Sequence, residues 1–268
     1  VRVKETDFSL YAPGHAALKA WARGLYRLEA IDRDRVPKSG GAIVAANHSS
    51  FLDIPAVGCT CPRPVSFVAR ETLLSIPILG WLIRHWGAIL IQRGAADAAA
   101  IRAIVEAAKG GRLVVMYPEG TRSSTDALQE LRAGIVLIAR RAGVPVVPAG
   151  VAGTREIFPR TRKVPRLRGR IDVAYGEPLD LAVGAPADAL ARLRAAMLFQ
   201  MDRAWTRWSE RTGRTRPTAA LLASPPARDV SHPASLRRDA AHPDLPNTSP
   251  TAVSPESSGA PTSRDPND

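Results

Sequence analysis

Between about residues 40 and 180, short and nearly unbroken apolar runs alternate with longer segments in which apolar positions recur three or four apart. The runs at 42–46, 65–69, 88–91, 113–117, 145–151 and 171–175 have the length and composition of buried strands. Segments 97–109 and 131–142 have helical composition, and Gly143 follows the second in the position that favours a left-handed stop. Continuous apolar strands alternating with helices predict an α/β fold, a single domain whose mainly parallel central sheet is flanked by helices. In such sheets the reacting residues collect where strands end.

Helical periodicity also appears at both flanks. Over 15–28, Leu18, Trp21, Leu25 and Leu28 form a stripe, with Lys19, Arg23 and Arg27 on the remaining positions. That pattern fits a helix packed on the domain or an interfacial helix with Trp21 at the headgroup level. Over 186–211, Leu190, Leu193, Met197, Leu198 and Met201 supply a docking face. From about Thr212 onward the periodicity is lost and Pro, Ser, Ala and Thr dominate, a composition that predicts disorder. The expected organisation is an amphipathic helical segment at 1–30, a catalytic-sized domain at 31–211 and a disordered tail at 212–268.

Charge narrows the partners. The 268 residues hold 37 Lys and Arg against 25 Asp and Glu, a formal charge of +12, which favours anionic partners. With 5% aromatic residues and no interleaving of basic and aromatic positions, no stacking platform for nucleic acid is visible. Cys59 and Cys61 have no histidine at zinc-ligand spacing and are expected to be inert thiols in a reducing compartment. The first residues lack a secretory pattern, and the longest apolar candidate for a membrane span, 73–83, is broken by Ser75, Pro77 and Gly80. A peripheral association with the cytoplasmic face of a membrane is the expectation.

Chemistry enters where the strand runs stop. After 42–46 comes Asn47-His48-Ser49-Ser50-Phe51-Leu52-Asp53, followed by Ile54 and Pro55, which suit a helix start. On a continuous helix, positions five apart face different ways. A turn could instead fold the Asp53 carboxylate onto the His48 ring and make a general base, or Asp53 could simply cap a helix. After 113–116 comes Tyr117-Pro118-Glu119-Gly120-Thr121-Arg122-Ser123, with hydroxyls, a permissive glycine and a guanidinium fork suited to phosphate oxygens. Gly87-Ala88-Ile89-Leu90-Ile91-Gln92-Arg93 ends in a further cation. No G-x-S-x-G elbow occurs, which counts against a serine hydrolase. Ser49 and Ser50 add hydroxyls beside the His48 and Asp53 pair.

These blocks, with Val144-Pro145-Val146-Val147-Pro148 and Gly176-Glu177-Pro178-Leu179, resemble the glycerolipid acyltransferases, whose best-known members acylate 1-acylglycerol 3-phosphate to phosphatidic acid. The resemblance covers about 28–180. It implies a glycerol-3-phosphate acyltransferase-like fold, His48 as general base and Asp53 as its orienting partner. It also implies that Arg93, Glu119, Gly120, Thr121 and Arg122 bind the glycerol phosphate of a lysophospholipid acceptor while Pro148 shapes the site. The acyl donor would be acyl-CoA or acyl-carrier protein; no cofactor, metal or nucleic acid is implied. Tyr117 stands where that family usually has Phe, and Arg70 and Arg132 stand where Lys is frequent. Other lysolipid or glycolipid acceptors, and a non-catalytic membrane-binding role, are the competing readings. The run Arg155, Arg160, Arg162, Lys163, Arg166, Arg168 and Arg170 is either a solvated loop or a contact for anionic headgroups or donor phosphates, alongside an anionic membrane surface as partner.

Overall fold

The apolar runs pair into one seven-stranded sheet with the order β1-β7-β6-β2-β5-β3-β4. The computed structural model describes residues 8–70, 74–75, 88–91 and 97–216, all within one compact unit. Its strands are β1 (Glu29–Ile31), β2 (Ala42–Ala46), β3 (Val65–Arg70), β4 (Ile89–Ile91), β5 (Leu113–Met116), β6 (Val146–Ala152) and β7 (Asp172–Tyr175). Its helices are α1 (Phe8–Tyr26), α2 (Asp53–Thr60), α3 (Asp97–Lys109), α4 (Gly134–Ala142), α5 (Thr154–Ile157) and α6 (Pro186–Thr212). Residues 217–268, most of the expected tail, lie outside the described residues, as do Arg93 and nearly all of the 73–83 segment.

From β6 to β4 every neighbouring pair is parallel, and β2 and β6 are buried along their whole length. β7 runs antiparallel to β6, and β1 runs parallel to β7. Alternation along the strands separates two cores. Val44, Val115, Val147 and Val173 face α1 and α2, whereas Ile43, Val114 and Val146 face α3, α4 and α6. Gly150 allows the second layer to close, since a Cβ there would overlap the α6 backbone at Gln200 and Met201.

Local departures from the sequence reading have local causes. α1 begins well before residue 15 and stops at Tyr26, because Arg27 takes a left-handed φ of 42°. Ala22, Tyr26 and Leu28 are buried and Leu18 and Leu25 pack on the core, leaving Trp21 exposed. α4 starts at Gly134 because the Arg132 N–H bonds the Pro118 carbonyl (2.9 Å) and binds that stretch to the loop after β5. Gly143 ends α4 at φ 65°, as expected, and Pro186 opens α6. β1 was not anticipated: Glu29-Ala30-Ile31 has no apolar run and takes its register from β7.

Candidate active site

β2 delivers Asn47 and His48 to the carboxyl edge of the sheet. Asn47, buried, spans to β6: its Nδ2 donates to the Val151 carbonyl (3.1 Å) and its Oδ1 accepts from the Val151 N–H (2.7 Å). This two-sided amide clasp fixes where the chain leaves the sheet. The next residues turn, and Asp53 opens α2 with its carboxylate folded back.

Asp53 is fully buried, with both oxygens occupied. Oδ2 accepts from the N–H groups of Ser49 (2.7 Å) and Ser50 (2.8 Å) and lies 2.9 Å from His48 Nδ1. Oδ1 accepts from the Thr154 hydroxyl (2.5 Å), contributed by the start of α5. Of the two alternatives left open by the spacing, the folded turn holds and the helix cap does not: α2 has Leu52 as its N-cap with no side-chain hydrogen bond, and the Asp53 carboxylate is spent on the turn upstream and on the imidazole. An acceptor-only carboxylate places the proton on Nδ1, leaving Nε2 with a free lone pair. Among the described residues Nε2 meets no hydrogen-bond partner, and the His48 side chain is 14% exposed.

The loop after β5 holds His48 from its other side. Glu119 Oε1 accepts the His48 N–H (2.6 Å), its Oε2 accepts the Gln129 N–H (2.9 Å), and the Ser123 N–H donates to the His48 carbonyl (2.6 Å). Glu119 is thus a clamp on the backbone, with both carboxylate oxygens engaged and 4% of its surface exposed. Burial pushes its carboxyl up to about 7, opposed by the Gln129 and His48 N–H groups and reinforced by Asp53 nearby. Tyr117 stacks on the imidazole with ring centroids 4.1 Å apart, while its buried hydroxyl has no hydrogen-bond partner among the described residues.

Gly120 turns the loop at φ 71°, and a side chain there would run into Arg132, so that arginine lies across the glycine. Thr121 is exposed at the loop tip. The Arg122 guanidinium sits 3.7 Å over the Phe51 ring, and Arg160 donates to the Arg122 carbonyl (3.0 Å). Burial first, and the charge of Arg160 second, push Arg122 below its ordinary value. An arriving dianion would relieve both effects. Pro148 is placed differently from the rest. It is buried inside β6 opposite Ala45 and packs toward Gly176 on the α6 face, with its carbonyl accepting the Gly176 N–H (2.8 Å).

Two contributors, Thr154 and Gln129, escaped the sequence reading, and a third, Ser50, has a role that it did not foresee. Thr154 lies 101 positions from Asp53, and only its place just past a strand end, after Gly153, could have marked it. Gln129 contributes a backbone N–H, which no side-chain pattern reveals. Ser50 is taken up structurally: its hydroxyl donates to the Phe158 carbonyl (2.8 Å) and accepts the Leu52 N–H (3.2 Å). Cys59 and Cys61 are unpaired and buried, and burial pushes their thiols up to about 11 and about 12. Among the described residues no cluster of His, Cys, Asp and Glu could hold a metal ion.

The family described as Acyltransferase matches residues 27–152. A chloroplastic 1-acyl-sn-glycerol-3-phosphate acyltransferase of Arabidopsis thaliana is 28% identical over 196 residues, covering 70% of this chain and 54% of its own. A lyso-ornithine lipid O-acyltransferase of Pseudomonas aeruginosa is 31% identical over 115 residues, 42% of this chain and 44% of its own. The chain spans about half the length of the curated relatives it matches. The crystal structure of the 1-acyl-sn-glycerophosphate acyltransferase PlsC from Thermotoga maritima superposes with a TM-score of 0.59 at 24% identity. That match covers 76% of this chain and 81% of the other, and at that identity the likeness is one of fold.

Proposed function

We propose, from the match of residues 27–152 to the Acyltransferase family, that the chain moves a fatty acyl group to the free sn-2 hydroxyl of 1-acyl-sn-glycerol 3-phosphate, giving phosphatidic acid. The donor is a thioester, acyl-CoA or acyl-carrier protein, met at the cytoplasmic face of a membrane by peripheral association. No helix among the described residues is long and apolar enough to cross a membrane. The observation that carries the reading is the His48 Nδ1 to Asp53 Oδ2 contact at 2.9 Å, with Nε2 left open.

In this mechanism His48 Nε2 removes the acceptor hydroxyl proton as the oxygen attacks the thioester carbonyl. The C–O bond forms, the C–S bond breaks, and the imidazolium returns the proton to the departing thiolate. Asp53 stabilises the imidazolium between the two steps, and a positioned histidine of this kind contributes roughly 10²–10⁴-fold. The acceptor hydroxyl occupies the place a serine holds in a triad. Ser49 and Ser50 are buried and Ser50 is committed to Phe158 and Leu52, which supports direct transfer over an acyl-enzyme. Arg122 and Thr121 at the loop tip, together with Arg93, receive the acceptor phosphate. Glu119 serves the same site indirectly by holding the His48 backbone.

The lyso-ornithine lipid relative favours a second reading, in which the acceptor is a lyso-aminolipid. Purified protein incubated with a long-chain acyl-CoA and a panel of acceptors decides between them. Thiol release stimulated by 1-acylglycerol 3-phosphate above all other acceptors supports the first reading; preference for the aminolipid replaces it with the second. Thiol release with no acceptor dependence contradicts both.

A further inference from the structure

The loop joining α5 to β7 begins at the catalytic site and ends somewhere else. Phe158 accepts the Ser50 hydroxyl and lies 6.3 Å from the Phe51 ring, and Arg160 holds the Arg122 carbonyl. Its far end, from Arg166 to Arg170, lines two cavities of ≈ 630 and ≈ 460 Å³ that share Arg27, Arg170 and Arg211. Arg211 is paired with Glu29 and Asp172, and Arg214 with Glu156. Arg23, Arg27, Arg33, Arg166, Arg168 and Arg170 also line these cavities, and among the described residues none has a carboxylate within ion-pair distance. The two carboxylates of the lining, Glu29 and Glu156, are engaged by Arg207, Arg211 and Arg214; guanidinium groups do not shed their protons, so the remaining excess of cations draws anions.

Between the two ends runs Arg162-Lys163-Val164-Pro165-Arg166-Leu167-Arg168, in which Val164 is 66% and Leu167 80% exposed. A single exposed apolar residue is ordinary. Two of them interleaved with four cations, beside a cleft of unpaired guanidiniums, have the composition of a segment that settles at a charged interface.

We propose that the 160–170 loop docks this protein on an anionic phospholipid bilayer, with Val164 and Leu167 entering the acyl boundary and lipid phosphates occupying the arginine-lined cavities. A soluble phosphate would neutralise the arginines and gain nothing from the two apolar side chains, which favours the bilayer. The apolar stripe of α1 is largely spent inward, on Ala22, Tyr26, Leu18 and Leu25, with Trp21 alone of that stripe left outward, whereas the loop presents two strongly exposed apolar side chains among four cations. Docking there would bring the Ser50 and Arg122 end of the same loop beside the lipid. The inference deepens the membrane-surface part of the reading above and rests on that part, independently of acyl transfer.

The test is co-sedimentation of the full chain with vesicles of phosphatidylcholine alone and of phosphatidylcholine mixed with phosphatidylglycerol, with no acyl donor present. The expected results are binding that requires phosphatidylglycerol and a partition at least about tenfold weaker in the Arg166→Gln, Arg168→Gln, Arg170→Gln triple variant. Val164→Ser with Leu167→Ser should show a comparable loss, while Phe199→Ser, which alters a residue 61% exposed on α6, should bind as wild type does. Thermal melts that match wild type confirm that the variants are folded. Unchanged partition in both loop variants, or an equal loss in Phe199→Ser, overturns the proposal. So does a triple variant that keeps its vesicle binding but loses calorimetric binding of adenosine 3′,5′-bisphosphate. Because nothing in the assay turns over, a negative result here leaves the thiol-release experiment to judge the chemistry separately.

Discussion

Thr154→Val removes one hydrogen bond from the site while keeping nearly the same shape. Thr154 is buried and its hydroxyl donates to Asp53 Oδ1 at 2.5 Å. Among the described residues that oxygen has no other donor, so valine leaves one side of a buried carboxylate bare. Hydrogen bonds to charged groups are worth about 1.5–3 kcal/mol, and an orphaned buried acceptor costs in the same range. A loss near 2 kcal/mol in a domain of this size should lower Tm by roughly 4–8 °C. Catalysis should suffer as well, because Asp53 then holds His48 with only its Oδ2 side fixed by Ser49 and Ser50. The expected outcome is a kcat about tenfold lower at little changed acceptor KM, since the interaction lost acts on the reacting geometry and leaves acceptor contacts alone. Thr154→Ser keeps the hydroxyl and should restore most of both quantities. Differential scanning calorimetry and initial-rate kinetics on the three proteins are sufficient. A valine variant with wild-type Tm and kcat would refute the role given to Thr154.

Three further outcomes follow from the same contacts. Glu119 is raised from 4.5 to about 7, so the native state binds more protons than the unfolded chain between those values and its contribution to stability falls as pH rises through that window. Glu119→Gln should therefore gain on wild type by about 3 kcal/mol between pH 4.5 and 7, at roughly 1.4 kcal/mol per pH unit; parallel stability curves would argue against it. Tyr117→Phe keeps the stack on His48 and removes an unpartnered buried hydroxyl, so stability should rise by about 1 kcal/mol with activity retained; a lower Tm would show that the hydroxyl is bonded. Asn47→Leu strands the Val151 N–H and carbonyl, for a loss of about 3 kcal/mol and faster amide exchange at Val151; native exchange at that amide would refute the clasp.

Much of the fold was legible because periodicity carries it. The apolar runs marked six of the seven strands, and α3 matches the 97–109 segment end to end. β1 was hidden because a three-residue edge strand needs no apolar run when its partner sets the register. The antiparallel turn of β7 was equally hidden, since it depends on how the long 158–171 connection returns rather than on the strand's own residues. At the site, sequence brought out the residues that act through side chains at strand ends. It assigned Glu119 to the acceptor, whereas both its oxygens are held by backbone N–H groups 71 and 10 positions away, contacts with no local signature. Thr154 was silent for the same reason, and Pro148 stood out as a motif residue although it packs within the sheet.

The central claim is that His48, held by Asp53, removes the proton from a lysolipid hydroxyl. It is tested most directly by measuring thiol release from a long-chain acyl-CoA in the presence of 1-acylglycerol 3-phosphate, comparing wild type with a folded His48→Ala variant. The account predicts that wild type releases thiol only when the lysolipid is present and that His48→Ala loses at least about a hundredfold in kcat. Turnover by His48→Ala at near the wild-type rate would contradict it.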